Sequence, residues 1–482
     1  MFTEELPKKA DVVIIGCGVV GCAIARELSK YRLNVVAIEK EPDVGWGATK
    51  GNMGVIHPFV PQMKKLKGKM CIEGNKRFDE ISSQLDVPFK RIGLLIVALN
   101  FIQYLALIVA YLYLKSKRIK AIWVNKKRLR EMEPNISREA RAAIFVPTAG
   151  MIDPVKYAIA LAENAVQNGV KIVVNTKVLG FEIENNAIRA VITDKGKIET
   201  KFVINAAGLY SEEIERLAGI EKRKMWRGKG VMLIFDPLLG DMYKHLMAPM
   251  PVRVDPRTKG GAISITVDDL PIWGPNLVEA KDANDVRVTK KDIEMIIEKF
   301  KKLIPHFPTN WIVKYYAGVR PVDDTSWDFV IGPTEVKGFI NAAYILSPGL
   351  TSAPVIAEKI VEILREEGLE LVEKDNFNPI RKGIKQIEDM SLEELDEAIR
   401  RNPQYGNIVC VCQNVSEAEI REVIKRGART IDSIKFRTRA GKGRCQGCRC
   451  LVKIIKILSE ELGIPPEEVT LKGGGSEILM GD

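Results

Sequence analysis

The most regular alternation of apolar and polar positions lies at the start of the chain. Residues 11–30, DVVIIGCGVVGCAIARELSK, place an apolar run before a glycine-rich turn, and the apolar positions beyond the turn recur at helical spacing. A second apolar run, NVVAIEK, follows at residues 34–40. This order predicts a buried strand, a tight turn, an amphipathic helix and a second strand, which together form a βαβ unit.

Three glycines in this unit form the pattern G-x-G-x-x-G. Gly16 permits the tight turn, Gly18 lets the backbone approach a pyrophosphate, and Gly21 lets the helix pack on the strand. The N-terminus of the helix offers free N–H groups and the positive end of its dipole to the phosphates. Glu39 follows at the end of the second strand, where a carboxylate accepts from ribose hydroxyls. The unit therefore predicts a dinucleotide site.

Three later segments extend this prediction. Residues 46–54 (WGATKGNMG) form a loop of small residues, residues 201–211 (KFVINAAGLYS) form an apolar strand, and residues 338–364 contain a strand, a Ser-Pro-Gly turn and a helix. With its motifs in this order, the chain resembles the FAD-dependent glycine oxidase, sarcosine oxidase and glycerol-3-phosphate dehydrogenase superfamily. The resemblance implies an α/β fold, with a Rossmann-like FAD-binding domain and an interleaved α+β substrate domain.

The resemblance also implies which residues surround FAD. The first strand, loop and helix bind the ADP part, while the small-residue loop and the later strand lie beside the pyrophosphate and the flavin. The last turn directs the amides of a helix that starts near Thr351 towards the flavin, where its positive end stabilises a reduced, anionic ring. The predicted FAD-binding residues are Gly16, Gly18, Val19, Val20, Gly21, Glu39, Lys40, Gly47, Ala48, Thr49, Asn52, Met53, Gly54, Val178, Ala206, Ala207, Gly208, Arg320, Pro348, Gly349, Leu350 and Thr351.

Two residues are candidates for contact with substrate. The segment YYAGVRPVDD (315–324) resembles the family's GVRP segment, whose arginine faces the substrate anion, so Arg320 is expected to clamp a carboxylate or phosphate. His57 matches a histidine of the glycerol-3-phosphate dehydrogenase pattern. A neutral imidazole there would take the hydroxyl proton while hydride passes to the flavin, and a packing histidine is the alternative interpretation.

The chain departs from the glycerol-3-phosphate dehydrogenase pattern in two places. The last flavin turn reads SPGLTS, without the lysine that faces phosphate, and Gly51 stands where the family's small-residue loop carries an arginine. Oxidation of sn-glycerol 3-phosphate is the first expectation. The second is dehydrogenation of an amino acid, a proline-like or sarcosine-like secondary amine, or a 2-hydroxy acid, and the third is a non-catalytic electron-transfer subunit.

Five of the eight cysteines lie near the C-terminal end of the sequence. The pattern Cys410-x-Cys412 is followed by Cys445-Gln-Gly-Cys448-Arg-Cys450, and these thiolates could hold zinc or a [2Fe–2S] cluster. The C-x-C spacing favours iron–sulfur, and the stretch resembles the BFD-like [2Fe–2S] domain that is also appended to the large subunit of anaerobic glycerol-3-phosphate dehydrogenase. The predicted ligands are Cys410, Cys412, Cys445 and Cys450, with Cys448 as the alternative to Cys450.

A flavin and a cluster on one chain favour a dehydrogenase over an oxidase. The flavin takes two electrons as a hydride, whereas the cluster passes one electron at a time to an acceptor subunit or a quinone-linked acceptor. We also consider a homo-oligomer. The predicted domains are FAD-binding (1–85, 148–225 and 325–372), substrate (86–147 and 226–324), a linker (373–407) and a small α-helical [2Fe–2S] domain (408–482).

Residues 92–114 form an uncharged apolar stretch, IGLLIVALNFIQYLALIVAYLYL, which is long enough to cross a membrane. Asn100 and Gln103 interrupt it, and its first part fits a strand. We therefore expect a strand and then an apolar helix over 101–114. That helix is either part of the core or a contact for a partner or a membrane surface.

Composition narrows the remaining functions. The 482 residues are 46% hydrophobic, which is typical of a globular protein of two or three domains. The net charge of +11 arises from basic residues interleaved with 62 acidic ones, so we expect no nucleic-acid partner. The first residues show no leader pattern, which predicts a cytoplasmic protein, peripheral to the membrane only through a partner.

Overall fold

The computed structural model describes residues 2–252 and 260–480. The strands in chain order are β1 (Val12–Ile15), β2 (Val35–Ile38), β3 (Val55–Ile56), β4 (Phe89–Arg91), β5 (Leu94–Ala98), β6 (Ile122–Asn125), β7 (Ala142–Val146), β8 (Gly150–Ile152), β9 (Lys171–Val173), β10 (Val178–Glu184), β11 (Ala187–Thr193), β12 (Gly196–Glu199), β13 (Phe202–Asn205), β14 (Met225–Phe235), β15 (Leu246–Pro249), β16 (Ala262–Ile265), β17 (Pro271–Gly274), β18 (Val278–Glu279), β19 (Ile312–Asp323), β20 (Val330–Pro333), β21 (Phe339–Ala343), β22 (Ile408–Cys410) and β23 (Val415–Ser416). The helices are α1 (Val19–Leu28), α2 (Leu66–Gln84), α3 (Phe101–Ser116), α4 (Lys126–Met132), α5 (Pro154–Gln167), α6 (Ser211–Leu217), α7 (Lys290–Lys301), α8 (Gly349–Glu366), α9 (Leu392–Arg401), α10 (Glu417–Lys425), α11 (Ile431–Thr438) and α12 (Leu451–Leu462).

The first layered unit is built on a six-stranded sheet in the order β20-β21-β13-β1-β2-β9. All neighbours are parallel except β20, which pairs antiparallel with β21. The apolar runs of β1 and β2 are buried throughout, because α1, α5 and α8 pack on one face and the β10–β12 sheet covers the other. The carboxyl ends of β1 and β13 therefore bring Gly16 and Ala206 to the same edge.

The second unit is a nine-stranded sheet. Its path is β18-β14-β17-β16-β15-β5-β7-β6, and β19 pairs antiparallel with β14 along most of both strands. Its core contains Trp273, Phe235 and Phe307, with Phe300 contributed by α7. The long β14–β19 pair carries Arg320, opposite Gly228 in the register.

A small third sheet, β3-β8-β4, contains one strand from the predicted substrate domain. The strand β4 lies in the segment 86–147 that was assigned to the substrate domain, yet it pairs with β8, which also pairs with β3. The chain thus enters the nine-stranded sheet only at β5, after Gly93, whose φ of +68° lies in the left-handed region that favours glycine. The remaining domain limits stay a prediction.

Residues 373–407, predicted as a linker, lie along the first unit. Arg381 Nε donates to Glu163 Oε2 at 2.7 Å, and the Asn378 N–H donates to Asn168 Oδ1 at 2.8 Å. The segment then forms α9, which starts at a Ser391 capping box. Beyond it, α10, α11 and α12 enclose a separate apolar core beside the β22–β23 hairpin.

The apolar stretch becomes β5 and α3, and of the two alternatives given for the helix, the one that buries it in the core is wrong. Of the residues in α3, only Leu107 and Leu114 are fully buried, because the helix packs on the nine-stranded sheet through one side alone. In the two described ranges, no helix is long and apolar enough to cross a membrane.

Candidate functional site

A cavity of about 850 Å³ joins the two large sheets. It extends from the carboxyl edge of the six-stranded sheet to β14 and β19. The predicted residues that line it are Gly16, Gly18, Val19, Val20, Glu39, Lys40, Gly47, Ala48, Thr49, Asn52, Met53, His57, Val178, Ala206, Ala207, Gly208, Arg320, Gly349 and Leu350. Residues of the wall that sequence reasoning missed include Lys67, Gln103, Thr176, Lys177, Lys299 and Ser347.

Close backbone packing explains the glycine turn. A Cβ on Gly21 would lie 1.9 Å from the carbonyl oxygen of Gly16, and one on Gly16, where φ is +97°, would lie 2.7 Å from the carbonyl oxygen of Ala206. By contrast, a Cβ on Gly18 would meet only Thr49 Oγ1, at 3.5 Å. Gly16 and Gly21 thus fit helix to sheet, while Gly18 leaves the cavity wall bare, as a pyrophosphate requires.

Glu39 is fixed at the end of β2. Its Oε2 accepts from the Cys17 N–H at 2.8 Å, and its Oε1 accepts from the Glu41 N–H at 3.1 Å. Burial raises the pKa of this carboxyl to about 7. Each oxygen retains a lone pair for a further donor, so the carboxylate suits the two hydroxyls of a ribose.

The loop of residues 46–54 is held from two sides. Thr49 Oγ1 accepts from the Val19 N–H at 3.0 Å, which ties the loop to the start of α1. On the other side, a Cβ on Gly51 would lie 2.5 Å from the Cα of Gly318 in β19. The glycine that replaces the family's arginine is therefore required by this close approach of two backbones.

Four of the predicted FAD-binding residues lie behind the wall and do not line the cavity: Gly21, Gly54, Pro348 and Thr351. The reason for Gly54 is that its backbone contacts β8, where a Cβ would lie 2.2 Å from the Ile152 carbonyl oxygen. The reason for Thr351 is that α8 begins two residues earlier than predicted, at Gly349, so Thr351 falls within its first turn.

The backbone around His57 holds its imidazole against the last flavin turn. The His57 N–H donates to Thr351 Oγ1 at 2.9 Å, and its carbonyl accepts from Asn75 Nδ2 at 3.0 Å. Its Nε2 lies 3.5 Å from the Ser347 hydroxyl oxygen. Thr351 thus positions His57. Ser347 adds a hydroxyl beside the imidazole, and the sequence indicated this residue only as part of the Ser-Pro-Gly turn.

Arg320 points a largely desolvated guanidinium into the cavity. Burial lowers its pKa to about 10, so the group remains charged at neutral pH. Its buried Nη1 has no hydrogen-bond partner among residues 2–252 and 260–480. Gly230 of β14 leaves space for this guanidinium, since a Cβ on Gly230 would lie 2.5 Å from Arg320 Nη2. A buried cation in this state favours the binding of an anion.

The C-terminal cysteines form two contacting pairs. The Cys450 side chain lies beside Cys410 and lowers the pKa of the Cys410 thiol, and Cys412 lies beside Cys445. Cys448 is exposed. In the described part of the chain, no group of three or more potential metal ligands is clustered closely enough to hold a metal ion. The prediction of the cluster ligands therefore depends on the two cysteine pairs, which supply four sulfur donors. They agree with the predicted ligand set, which remains a prediction.

The cysteine-bearing domain contacts Asp43 and Trp46, at the entry to the loop of residues 46–54. Arg437 Nη2 of α11 donates to Asp43 Oδ1 at 2.9 Å, and both side chains are at most 2% exposed. Trp46 and Phe436 meet edge to face, with ring centroids 5.7 Å apart. The two domains are thus joined by a buried ion pair and an aromatic contact beside Gly47.

The fold and the site define a flavin-dependent oxidoreductase that is joined to an iron–sulfur domain. The chain belongs to the family described as FAD dependent oxidoreductase, whose model matches residues 11–363, and residues 408–460 match a BFD-like [2Fe-2S] binding domain. FAD and a [2Fe–2S] cluster are accordingly its cofactors, and the glycine turn, Glu39 and the paired thiols fit them.

Three relatives extend the comparison. A glycerol 3-phosphate dehydrogenase from Caloramator mitchellensis is 38% identical over 98% of both chains. The anaerobic glycerol-3-phosphate dehydrogenase subunit A1 of Haloferax volcanii is 24% identical, over 95% of this chain and 84% of that one. The dithionite-reduced L-alpha-glycerophosphate oxidase of Mycoplasma pneumoniae, with FAD bound, is 28% identical, with a TM-score of 0.72 over 78% of this chain and 99% of that one.

Proposed function

We propose that this protein oxidises sn-glycerol 3-phosphate by hydride transfer to FAD and passes the electrons through its [2Fe–2S] cluster to a partner subunit or a quinone-linked acceptor. The observation that carries the proposal is the buried guanidinium of Arg320, whose Nη1 has no hydrogen-bond partner among the described residues and which shares its cavity with His57 and the FAD-binding turn. The relatives named for glycerol 3-phosphate favour that substrate over other small anions.

In the proposed reaction Arg320 binds the phosphate. Its planar fork supplies two parallel donors, and because the guanidinium is buried, the ion pair is stronger than it would be at the surface. The same contact satisfies the Nη1 that lacks a partner in the described chain. This arrangement orients the carbon that carries the secondary hydroxyl.

His57 is proposed to accept the proton of that hydroxyl at Nε2. Ser347, 3.5 Å from Nε2, is placed to donate to the same substrate oxygen or to hold the imidazole. FAD, when bound, supplies a hydride acceptor. The hydrogen bond from the His57 N–H to Thr351 fixes the backbone of this residue during the reaction.

Electrons are proposed to leave through the cysteine-bearing domain. Cys412 and Cys448 lie on its exposed side, whereas Cys410 and Cys450 are buried. The similarity to a protein named subunit A1 supports an acceptor on a separate chain. We propose that this acceptor docks where the cysteine loops face solvent.

Anaerobic titration with sn-glycerol 3-phosphate, followed by flavin absorption, tests the substrate. Bleaching at stoichiometric substrate supports the proposal. Arg320→Ala should raise the substrate concentration for half-bleaching about a hundredfold, while Arg320→Lys, which keeps the charge without the fork, should lie between the two.

The control is reduction of each variant by dithionite, which requires FAD and not Arg320. If sn-glycerol 3-phosphate fails to bleach a flavin that dithionite reduces, the substrate assignment is wrong. The missing lysine in the last turn would then favour the second candidate function, and proline, sarcosine and 2-hydroxy acids become the next titrants.

A further inference from the structure

The helix α3 exposes an apolar face that nothing in the described chain covers. At 100° per residue its exposed apolar side chains fall within an arc of about 120°. They are each between 40% and 69% exposed: Phe101, Ile102, Leu105, Val109, Leu112 and Tyr113. Leu107 and Leu114 lie on the opposite side, where they pack on the nine-stranded sheet. The helix is thus fixed by one side and presents the other to a partner.

The sequence around this helix is strongly basic. Residues 87–130 contain ten lysines and arginines and no aspartate or glutamate. Four of the cations follow directly after the helix, and all four are exposed: Lys115, Lys117, Arg118 and Lys120. The apolar face is therefore followed directly by positive charge, in a stretch of sequence that contains no acidic residue.

We propose that α3 and the basic segment after it dock this protein on an anionic lipid surface. In such docking the apolar side chains enter the boundary between headgroups and acyl chains, and the lysines contact the lipid phosphates. One surface thus accounts for both the exposed apolar face and the basic segment. Parallel pairing of two copies through α3 would bring two basic segments together and is disfavoured by their repulsion. No described helix is long and apolar enough to span a bilayer, so α3 lies in its surface.

Docking through this face would bring the membrane next to a helix that also lines the cavity. Gln103, on a different side of α3, lines the cavity, and so does Val252, which is 60% exposed. The docked face and part of the cavity wall therefore belong to the same helix.

Co-sedimentation of the full-length holoprotein with vesicles tests the docking. Vesicles of phosphatidylglycerol and phosphatidylcholine in equal parts should bind it, and vesicles of phosphatidylcholine alone should bind it much more weakly. The triple variant Ile102→Ser, Val109→Ser, Leu112→Ser should lose at least about tenfold in binding, because it removes apolar area from the face. The double variant Leu238→Ser, Leu392→Ser alters equally exposed apolar residues elsewhere and should bind like the wild type.

The charge contribution is tested separately. The triple variant Lys117→Glu, Arg118→Glu, Lys120→Glu should lose the preference for anionic vesicles. All substituted residues are exposed, so FAD content and melting temperature should match the wild type in each variant.

The proposal is overturned if the wild type remains in the supernatant with both vesicle types, or if the apolar variant binds as well as the wild type. A wild-type dimer that the apolar variant converts to monomers, without vesicle binding, would instead assign the face to self-association.

Discussion

Replacing Arg437 with methionine should loosen the cysteine-bearing domain from the FAD-binding unit. The Arg437–Asp43 ion pair is at most 2% exposed on both sides, so water cannot take the place of the guanidinium. Removing one partner of such a pair leaves an uncompensated buried charge, at a cost of about 3–5 kcal/mol. This cost should fall on the contact between the domains, since Arg437 and Asp43 come from different domains.

Hydrogen–deuterium exchange of the α11 amides measures this opening. A loss of 3–5 kcal/mol corresponds to an increase of about two to four orders of magnitude in exchange rate, provided that opening at this contact limits exchange. The matched control is Arg444→Met. The Arg444–Asp236 pair has a similar length, 2.8 Å, but its arginine is 57% exposed, and such surface pairs contribute about 0–1 kcal/mol.

A second variant separates the charge from the packing. Asp43→Asn added to Arg437→Met removes the unpaired charge and retains an oxygen for the Val44 N–H, which now donates to Asp43 Oδ1 at 2.8 Å. This double variant should recover most of the protection. The reasoning is refuted if Arg437→Met exchanges as slowly as Arg444→Met, or if adding Asp43→Asn recovers nothing.

Three further outcomes follow from the site. Gly21→Ala should lower the melting temperature, because its Cβ would overlap Gly16, whereas Gly18→Ala should keep the fold and lose FAD affinity, as measured by flavin retention. Cys450→Ser should abolish the cluster spectrum and Cys448→Ser should leave it intact; the reverse would select the alternative ligand. The pKa of Glu39 is about 7 in the folded protein and about 4.3 in the unfolded chain, so between these pH values the folded state binds the extra proton. The apo protein should therefore lose stability as the pH rises from about 4.3 to 7, and Glu39→Gln should remove this dependence.

Local patterns predicted the parts of the site that depend on neighbours in the chain. The strand β1, the glycine turn, α1 and Glu39 lie where the sequence placed them, because each is set by burial, turn geometry or helix packing within about thirty residues. The cavity joins this unit to Gly208 and Leu350, as the order of the motifs implied. At the last turn, α8 begins two residues earlier than the sequence predicted. Thr351 therefore lies behind the cavity wall, where its hydroxyl accepts a hydrogen bond from the His57 N–H.

Contacts between distant segments could not be predicted from these patterns. Gly51 and Gly318 approach each other only because β19 crosses the loop, and a glycine has no side-chain pattern that signals such a partner. Similarly, α3 is uniformly apolar, so periodicity could not show which side would be buried; the sheet beneath it selected Leu107 and Leu114.

The interface between the domains bears on how electrons leave the flavin site. Asp43 and Trp46 contact α11, and Gly47, next to Trp46, lines the cavity, so one short segment faces both the FAD site and the cysteine-bearing domain. Because this contact is buried and charge-paired, it holds the cysteine-bearing domain beside the loop of residues 46–54. If Arg437→Met slows cluster reduction while flavin reduction by substrate keeps its rate, the ion pair positions the cluster. Equal slowing of both steps would instead mean that the segment acts through the FAD site.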